Sequence, residues 1–344
     1  MTDERALDGM RILVTGGAGA IGSTLVDQLV ETAAAEIVVL DNFAGGRREN
    51  LDAAVAAAQR CGTRLSIVDA DIRDAPSVRW AMRGVDVAFH LAAPAVSRCA
   101  DEPRQALDGL AGGTFNVLEA AVAARVGKVI ASSSASVYGM ADTFPTGERH
   151  HPYNDTTFHG VAKAFVEGLL RSFHTRYGLD YVVLRYFDVY GPRLDDHGPH
   201  TRLLVRWMHR IAGGDPPLIL GDSRATMDLV HVADVARANV LAAGAPAANA
   251  VFNIGSGTET TLRQLATALL TAMDSPLRPL SGPARMLDGV TRRLADIGAA
   301  GRELGWRPTI GLAEGLRGLV DRWRAEATSR AGRQPAAQVT RMAL

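Results

Sequence analysis

An α/β fold, a doubly wound parallel sheet with a smaller interleaved C-terminal region, is what this sequence predicts, and three observations predict it. Short β-branched runs recur at 11–15, 36–40, 64–68, 86–90, 128–132 and 181–185. Ala/Leu-rich stretches with helical spacing of apolar residues lie between them, at 20–33, 103–126 and 159–177. A glycine-rich turn, TGGAGAIG, follows the first run directly. Apolar runs alternating with amphipathic helices are the pattern of strands covered on both faces by their own crossover helices.

The elements follow in order from their residues. RILVT, EIVVL, RLSIV, DVAFH, KVIAS and YVVLR read as buried parallel strands. After Arg185 the rhythm loosens, and residues 190–225 are rich in Gly, Pro and His. Segments 232–243 and 260–273 read as helices with a strand, AVFNI, at 250–254 between them. From Ser329 onward Arg, Gln, Ala and Thr lack periodicity and predict a flexible tail over 329–344.

Composition sets the class. With 47% hydrophobic and 22% charged residues the chain is neither disordered nor fibrous. Thirty-seven cationic and 37 anionic side chains cancel, so nothing global draws the molecule to nucleic acid. No run reaches the ~18 apolar residues of a membrane span, and MTDERALDG lacks the basic start of a secretory signal. Cys61 and Cys99 are too few for a disulfide scaffold and show no metal-ligand spacing with histidine. They read as buried small hydrophobes of a cytoplasmic protein without a metal centre. Lysine occurs only at 128 and 163, all other cations being arginine.

The glycine turn carries the first chemistry. Gly16, Gly19 and Gly22 stand at GxxGxxG spacing between a strand and a helix that starts near Ala20. Glycine admits positive φ and close backbone approach to a pyrophosphate, which the amides at Ala20, Ile21 and Gly22 meet at the positive end of the helix. The second strand ends at Asp41, followed by Asn42, where a carboxylate can accept both adenosine ribose hydroxyls and would repel a 2′-phosphate. NAD is therefore favoured over NADP, with Arg47 and Arg48 nearby as either a counter-influence or an exposed helix start. Asp71 and Ile72 after the third strand are placed to flank the adenine, or serve as ordinary loop residues. Leu91, Ala92 and Ala93 in HLAAPA allow close cofactor approach.

Through TGGAGAIG, HLAAPA, SSSASVYG, RYFDVYGPR, GDSRATMDLVHVADVA, NIGSG, RRLAD and LGW, residues 10–327 resemble the extended short-chain dehydrogenase/reductase family. The resemblance is to its nucleotide-sugar epimerase and dehydratase branch. It implies a Rossmann NAD-binding domain over 1–185 and a substrate-binding region over 186–328, part of which, near 228–254, returns to the first domain. It also implies that Ser134 hydrogen-bonds the hydroxyl to be oxidised. The family places a tyrosine base four residues before a lysine on the next helix. Here the lysine is Lys163, and His159 stands in the tyrosine's place. Imidazole titrates near ~6.5 and a neighbouring ammonium lowers it, so a neutral proton acceptor remains available. His159 then takes the tyrosine's role while Lys163 fixes the cofactor; the alternative is a dinucleotide-binding relic. His150, His151 and Tyr153 are possible substitutes or surface residues.

On the substrate side, Asp188 replaces an asparagine that donates to the substrate diphosphate in relatives. At ~4 Å and an effective dielectric of 20, like charges cost about 4 kcal/mol, so Asp188 is protonated, turned away, compensated by arginine, or the ligand is unusual. Met227 occupies the place of a phosphate-binding arginine. Arg285, Arg292 and Arg293 are candidate anion contacts or solvated charges. Ala135 and Ser136 stand where dehydratases and decarboxylases carry acidic residues, which disfavours elimination and leaves Ser136 as a substrate contact. The resemblance thus implies 4-epimerisation of a nucleotide sugar through a 4-keto intermediate. A redox or elimination enzyme on an atypical non-diphosphate substrate is the alternative. It further implies a homodimer through helices 103–126 and 159–177.

Overall fold

The apolar runs of the first half become one parallel sheet in the computed structural model, which describes residues 6–94, 96–151, 157–193, 199–283 and 290–333. The chain passes through β1 (Arg11–Thr15), α1 (Ala20–Val30), β2 (Glu36–Asp41), α2 (Asp52–Cys61), β3 (Arg64–Asp69), α3 (Ala75–Ala81) and β4 (Val87–His90). It continues with α4 (Val96–Asp101), α5 (Pro103–Leu107), α6 (Thr114–Ala124), β5 (Lys128–Ser134), α7 (Phe158–Tyr177) and β6 (Tyr181–Tyr186). Then come β7 (Asp188–Tyr190), α8 (Pro199–Ala212), β8 (Leu218–Leu220), β9 (Thr226–Met227), β10 (Leu229–His231), α9 (Val232–Gly244) and β11 (Ala250–Ile254). The last elements are β12 (Thr260–Thr261), α10 (Leu262–Ala272), β13 (Leu280–Gly282), α11 (Gly298–Glu303) and α12 (Leu312–Arg333).

The central sheet runs β11-β6-β5-β4-β1-β2-β3, every pair parallel. The chain builds outward from β1 to β3, then returns to β4 on the other side of β1. That reversal opens a crevice at the carboxyl ends of β1 and β4, where ligands of such sheets bind. Alternation along each strand divides the core: Ile12 and Val14 face the layer that includes α1 and α9, and Leu13 faces the layer of α3, α6 and α7. A third apolar cluster, with Trp207, Met208, Leu269, Leu316 and Val320, belongs to the C-terminal region.

Several sequence expectations need correction. The 103–126 segment is not one regular helix, because a π-helical stretch at Asp108–Gly113 separates α5 from α6. Such stretches accommodate one extra residue, which a 3.6-residue periodicity does not reveal. Strand β3 lies at the sheet edge and is only half-covered, unlike the interior strands. Helix α12 carries through Ser329 to Arg333, so the periodic backbone outlasts the apolar pattern; 334–344 lie outside the described residues. Cys61 is exposed at the end of α2, whereas Cys99 is buried as expected.

Candidate functional site

The carboxyl end of β1 turns at Gly16, whose φ is +71°. A Cβ there would stand 2.6 Å from the Ala92 backbone nitrogen, so the exit of β4 closes against this turn. A Cβ on Gly22 would lie 2.1 Å from the Gly16 carbonyl oxygen, and only glycine lets α1 approach so closely. Gly19, with φ −70°, is less confined, since a Cβ there would lie 3.4 Å from the Gly16 carbonyl oxygen. Gly17 and Gly46 are equally confined, against Val39 and the Ala18 backbone, and neither was singled out by spacing. No side chain caps α1. The amides of its first turn, at Ala20, Ile21 and Gly22, therefore keep the unsatisfied donors of a helix start.

Asp41 is buried at the end of β2 and accepts from the amides of Ala18 and Phe43, each at 2.8 Å. It thus ties the glycine turn to the neighbouring strand, while burial pushes its carboxyl upward. Asn42 donates to Asp71 at 2.8 Å, and the Arg73 guanidinium holds the Asp71 carboxyl at about 2. Ile72 is buried, close enough to Gly113 that a Cβ there would meet it at 2.6 Å. Leu91 and Ala92 are half-buried and Ala93 is exposed. Arg48 pairs with Asp69 and lies over the Phe43 ring.

One residue of this end escaped the sequence reading. His90, at the end of β4, is fully engaged between Thr15 Oγ1 at 2.8 Å and Thr114 Oγ1 at 2.9 Å. Burial, aided by the Lys163 charge, pushes it down to about 3, so it is a neutral connector between β1 and α6. The clue was its place in HLAAPA, but its partners are distant in sequence.

The other end of the crevice is built by β5 and α7. Ser134 closes β5, and its Oγ accepts from the Ser136 amide and donates to the Ser136 hydroxyl, both at 3.1 Å. Thr157 caps α7 by accepting from the Gly160 amide, which starts the helix so that His159 and Lys163 share its inner face. Lys163 is buried and donates to the Ser132 carbonyl at 2.8 Å and its hydroxyl at 3.2 Å. Burial pushes its ammonium down to about 8. His159 is also buried, and burial followed by the charges of Lys163 and Arg293 pushes its imidazole down to about 3. Its Nδ1 is enclosed without a hydrogen-bond partner among the described residues.

One turn further along α7, Glu167 takes a hydrogen bond from Ser133 at 2.7 Å and a two-pronged one from Arg185 at 2.8 and 2.6 Å. Arg185 also donates to Tyr138, which donates to Asn253 at 2.6 Å. This network locks β5, α7 and β6 together behind the site. His150 bonds Asp142 at 2.9 Å beside the Tyr138 ring, His151 is exposed, and Tyr153 lies outside the described residues.

Of the substrate-side residues, Asp188 is buried and accepts from the Asp228 amide at 3.1 Å, while Arg293 stands 3.5 Å from its other oxygen. Of the options the sequence left open, the structure places an arginine near this carboxylate. Met227 packs in the C-terminal apolar cluster. Arg292 is gripped by Glu259 at 2.7 and 2.8 Å and lies over the Phe144 ring. Arg285 lies outside the described residues. The segment bearing Arg293 is held over the site: Ala295 donates to Asp228 at 2.9 Å and packs with Ala135, Val137, Tyr138 and Phe187.

Comparison with known proteins agrees with this architecture. Residues 12–255 match the NAD dependent epimerase/dehydratase family. A UDP-glucose 4-epimerase of Mycolicibacterium smegmatis is 37% identical over 317 residues, 92% of this chain and 99% of its own. The crystal structure of a UDP-glucose 4-epimerase with UDP-glucose from Thermotoga maritima superposes with a TM-score of 0.83 at 34% identity, covering 92% of this chain and all of that one. That of a UDP-glucose 4-epimerase complex with NAD from Thermus thermophilus gives 0.80 at 32% identity, covering 92% and 99%.

Proposed function

Because this chain belongs to the NAD-dependent epimerase/dehydratase family, we propose that it is a nucleotide-sugar 4-epimerase in which the His159 imidazole replaces the usual phenol. The observation that carries this reading is a neutral, buried imidazole beside a buried lysine on one face of α7, next to the strand end bearing Ser134.

The residues present fit NAD. The uncapped start of α1, the glycine turn that side chains would fill, and Asp41 at the end of β2 suit a pyrophosphate and a ribose diol. Gly16, Gly19, Ala20, Ile21 and Gly22 would hold the phosphates. Asp41, Asn42, Asp71 and Ile72 would hold the adenosine, and Leu91, Ala92, Ala93 and Lys163 the nicotinamide end. When bound, NAD supplies the hydride acceptor and afterwards the donor.

Ser134 orients the sugar hydroxyl, and His159 takes its proton at Nε2. With NAD bound to accept the hydride and later return it, the site would have to let the oxidised sugar turn, and His159 would give the proton back to the re-formed hydroxyl. The burial and neighbouring cations that keep the ring neutral also make it a weak base, so the proton resides on it only briefly. Residues 1–185 form the NAD-binding part in this reading and 186–328 the substrate part. Two unpaired cysteines, one of them exposed, support a cytoplasmic setting. Exposed Leu107, Phe115, Phe158, Val161 and Phe165 on α5, α6 and α7 support a homodimer.

Turnover of UDP-, GDP-, CDP- and dTDP-sugars tests the mechanism in wild type, His159→Phe and His159→Tyr. Epimerisation without net NADH is expected in wild type, with a loss of about 100-fold or more in the phenylalanine variant. Full activity of that variant would refute the histidine base, and activity confined to the tyrosine variant would mark a relic.

A further inference from the structure

We propose that Arg293 selects the substrate by receiving a carboxylate carried on the sugar next to the reacting carbon, so that the preferred ligand is a nucleotide-linked sugar acid. This inference rests on the epimerase reading above.

The guanidinium is largely enclosed, its side chain only 17% exposed, yet its sole partner among the described residues is Asp188 at 3.5 Å. Asp188 cannot satisfy it, since its other oxygen is committed to the Asp228 amide. Among the described residues, most of the five donors of a rigid fork thus have no partner and can meet a planar anion. Position fixes which part of a ligand they meet. Two residues on, Ala295 belongs to the same buried apolar cluster as Ala135, the neighbour of Ser134, and Phe187. Thr146 donates to the Leu294 carbonyl at 2.8 Å, holding the intervening segment in place. Arg293 therefore stands over the end of β5, where the reacting hydroxyl is held, and its charge reaches the His159 ring.

In a hexuronic acid the carboxylate is attached to C5, adjacent to the C4 hydroxyl that His159 deprotonates. A carboxylate on Arg293 also relieves the obstacle that this arginine presents to the reaction. Lys163 on α7 and Arg293 are the charges that oppose protonation of His159, and Asp188 on β7 offsets Arg293 only in part. Neutralising the guanidinium makes the imidazole a better base once the correct substrate is in place. The arginines not chosen are accounted for, since Arg292 is held by Glu259 and Arg185 by Glu167.

Calorimetry on NAD-loaded enzyme with two matched pairs, UDP-glucuronate against UDP-glucose and glucuronate 1-phosphate against glucose 1-phosphate, tests this. Wild type is expected to bind the acid at least about tenfold more tightly in one pair, the lower end for a charge-assisted contact because Asp188 competes. Arg293→Gln should abolish the ratio while leaving the glucose member within about twofold, and Arg293→Lys should keep part of it. Circular dichroism and NAD content identify a variant that fails to fold, in which case the wild-type ratios and Arg293→Lys decide. Equal affinity in both pairs, no binding of either acid, or equal weakening of both members in Arg293→Gln, as for a phosphate contact, would overturn the proposal. A retained acid preference without epimerisation counts against the epimerase reading alone. Epimerisation of UDP-glucose with no acid preference counts against this inference alone.

Discussion

Burial, then the charges of Lys163 and Arg293, keep the His159 imidazole neutral far below its ordinary titration range. An enzyme using this base should show no acid limb in kcat/KM near ~6.5, the unperturbed histidine value. The limit belongs on the alkaline side. Lys163 is charged below about 8 and loses its proton as pH rises through that value, which under the proposed role would weaken its hold on the cofactor ribose. A profile flat from pH 5.5 to 7.5 and falling above 8 is therefore expected. A limb rising through pH 6 to 7 would mean that His159 titrates in the free enzyme. The sequence located this pair through its resemblance to the family, whose base stands four residues before a lysine, a spacing that puts both on one helix face. It could not locate Arg293 against Asp188, or Arg185 against Glu167, because those contacts exist only once separate strands and helices have packed.

Helix α7 presents two chemically different faces. Its inner face is a polar stripe of His159, Lys163 and Glu167 at four-residue intervals, while Phe158, Val161 and Phe165 stand on the other side. Val161 and Phe165 are 55% and 52% exposed, unusual for large apolar groups on the surface of a lone subunit. Covering such a side chain is worth about 1.5–3 kcal/mol, and a twofold interface counts each residue twice. Val161→Glu combined with Phe165→Glu should convert a dimer to monomer at micromolar concentration, read by light scattering on a size-exclusion column, with helix content unchanged. A wild type that elutes as a monomer would refute the dimer. The helix itself was legible, since apolar residues recur at its period. The π-helical stretch in the neighbouring 103–126 segment was not, because one inserted residue shifts the register without breaking the apolar pattern.

At the scale of the molecule, the glycine turn, strand ends and helix faces were readable because each depends on residues close in sequence. The stability of the assembled crevice depends instead on groups that folding forces into one protonation state. His90 and His159 are both pushed down to about 3, chiefly by burial. In the unfolded chain they protonate near ~6.5, so between those values the unfolded state binds more protons and stability falls as pH is lowered. Asp41 and Asp228, raised by burial, act in the opposite sense as pH falls through their raised values, so the wild-type slope is a net quantity. Comparison with His90→Asn isolates one histidine. Between pH 6 and 4 its slope of unfolding free energy should be smaller than that of wild type by about 1.4 kcal/mol per pH unit. At pH 7.5 the variant should be less stable than wild type, because Thr15 and Thr114 lose a partner of the right length. Urea unfolding at several pH values measures both effects. Parallel pH dependences for the two proteins would show that His90 protonates in the folded state as readily as in the unfolded one, and that the junction between β1 and α6 is open to water.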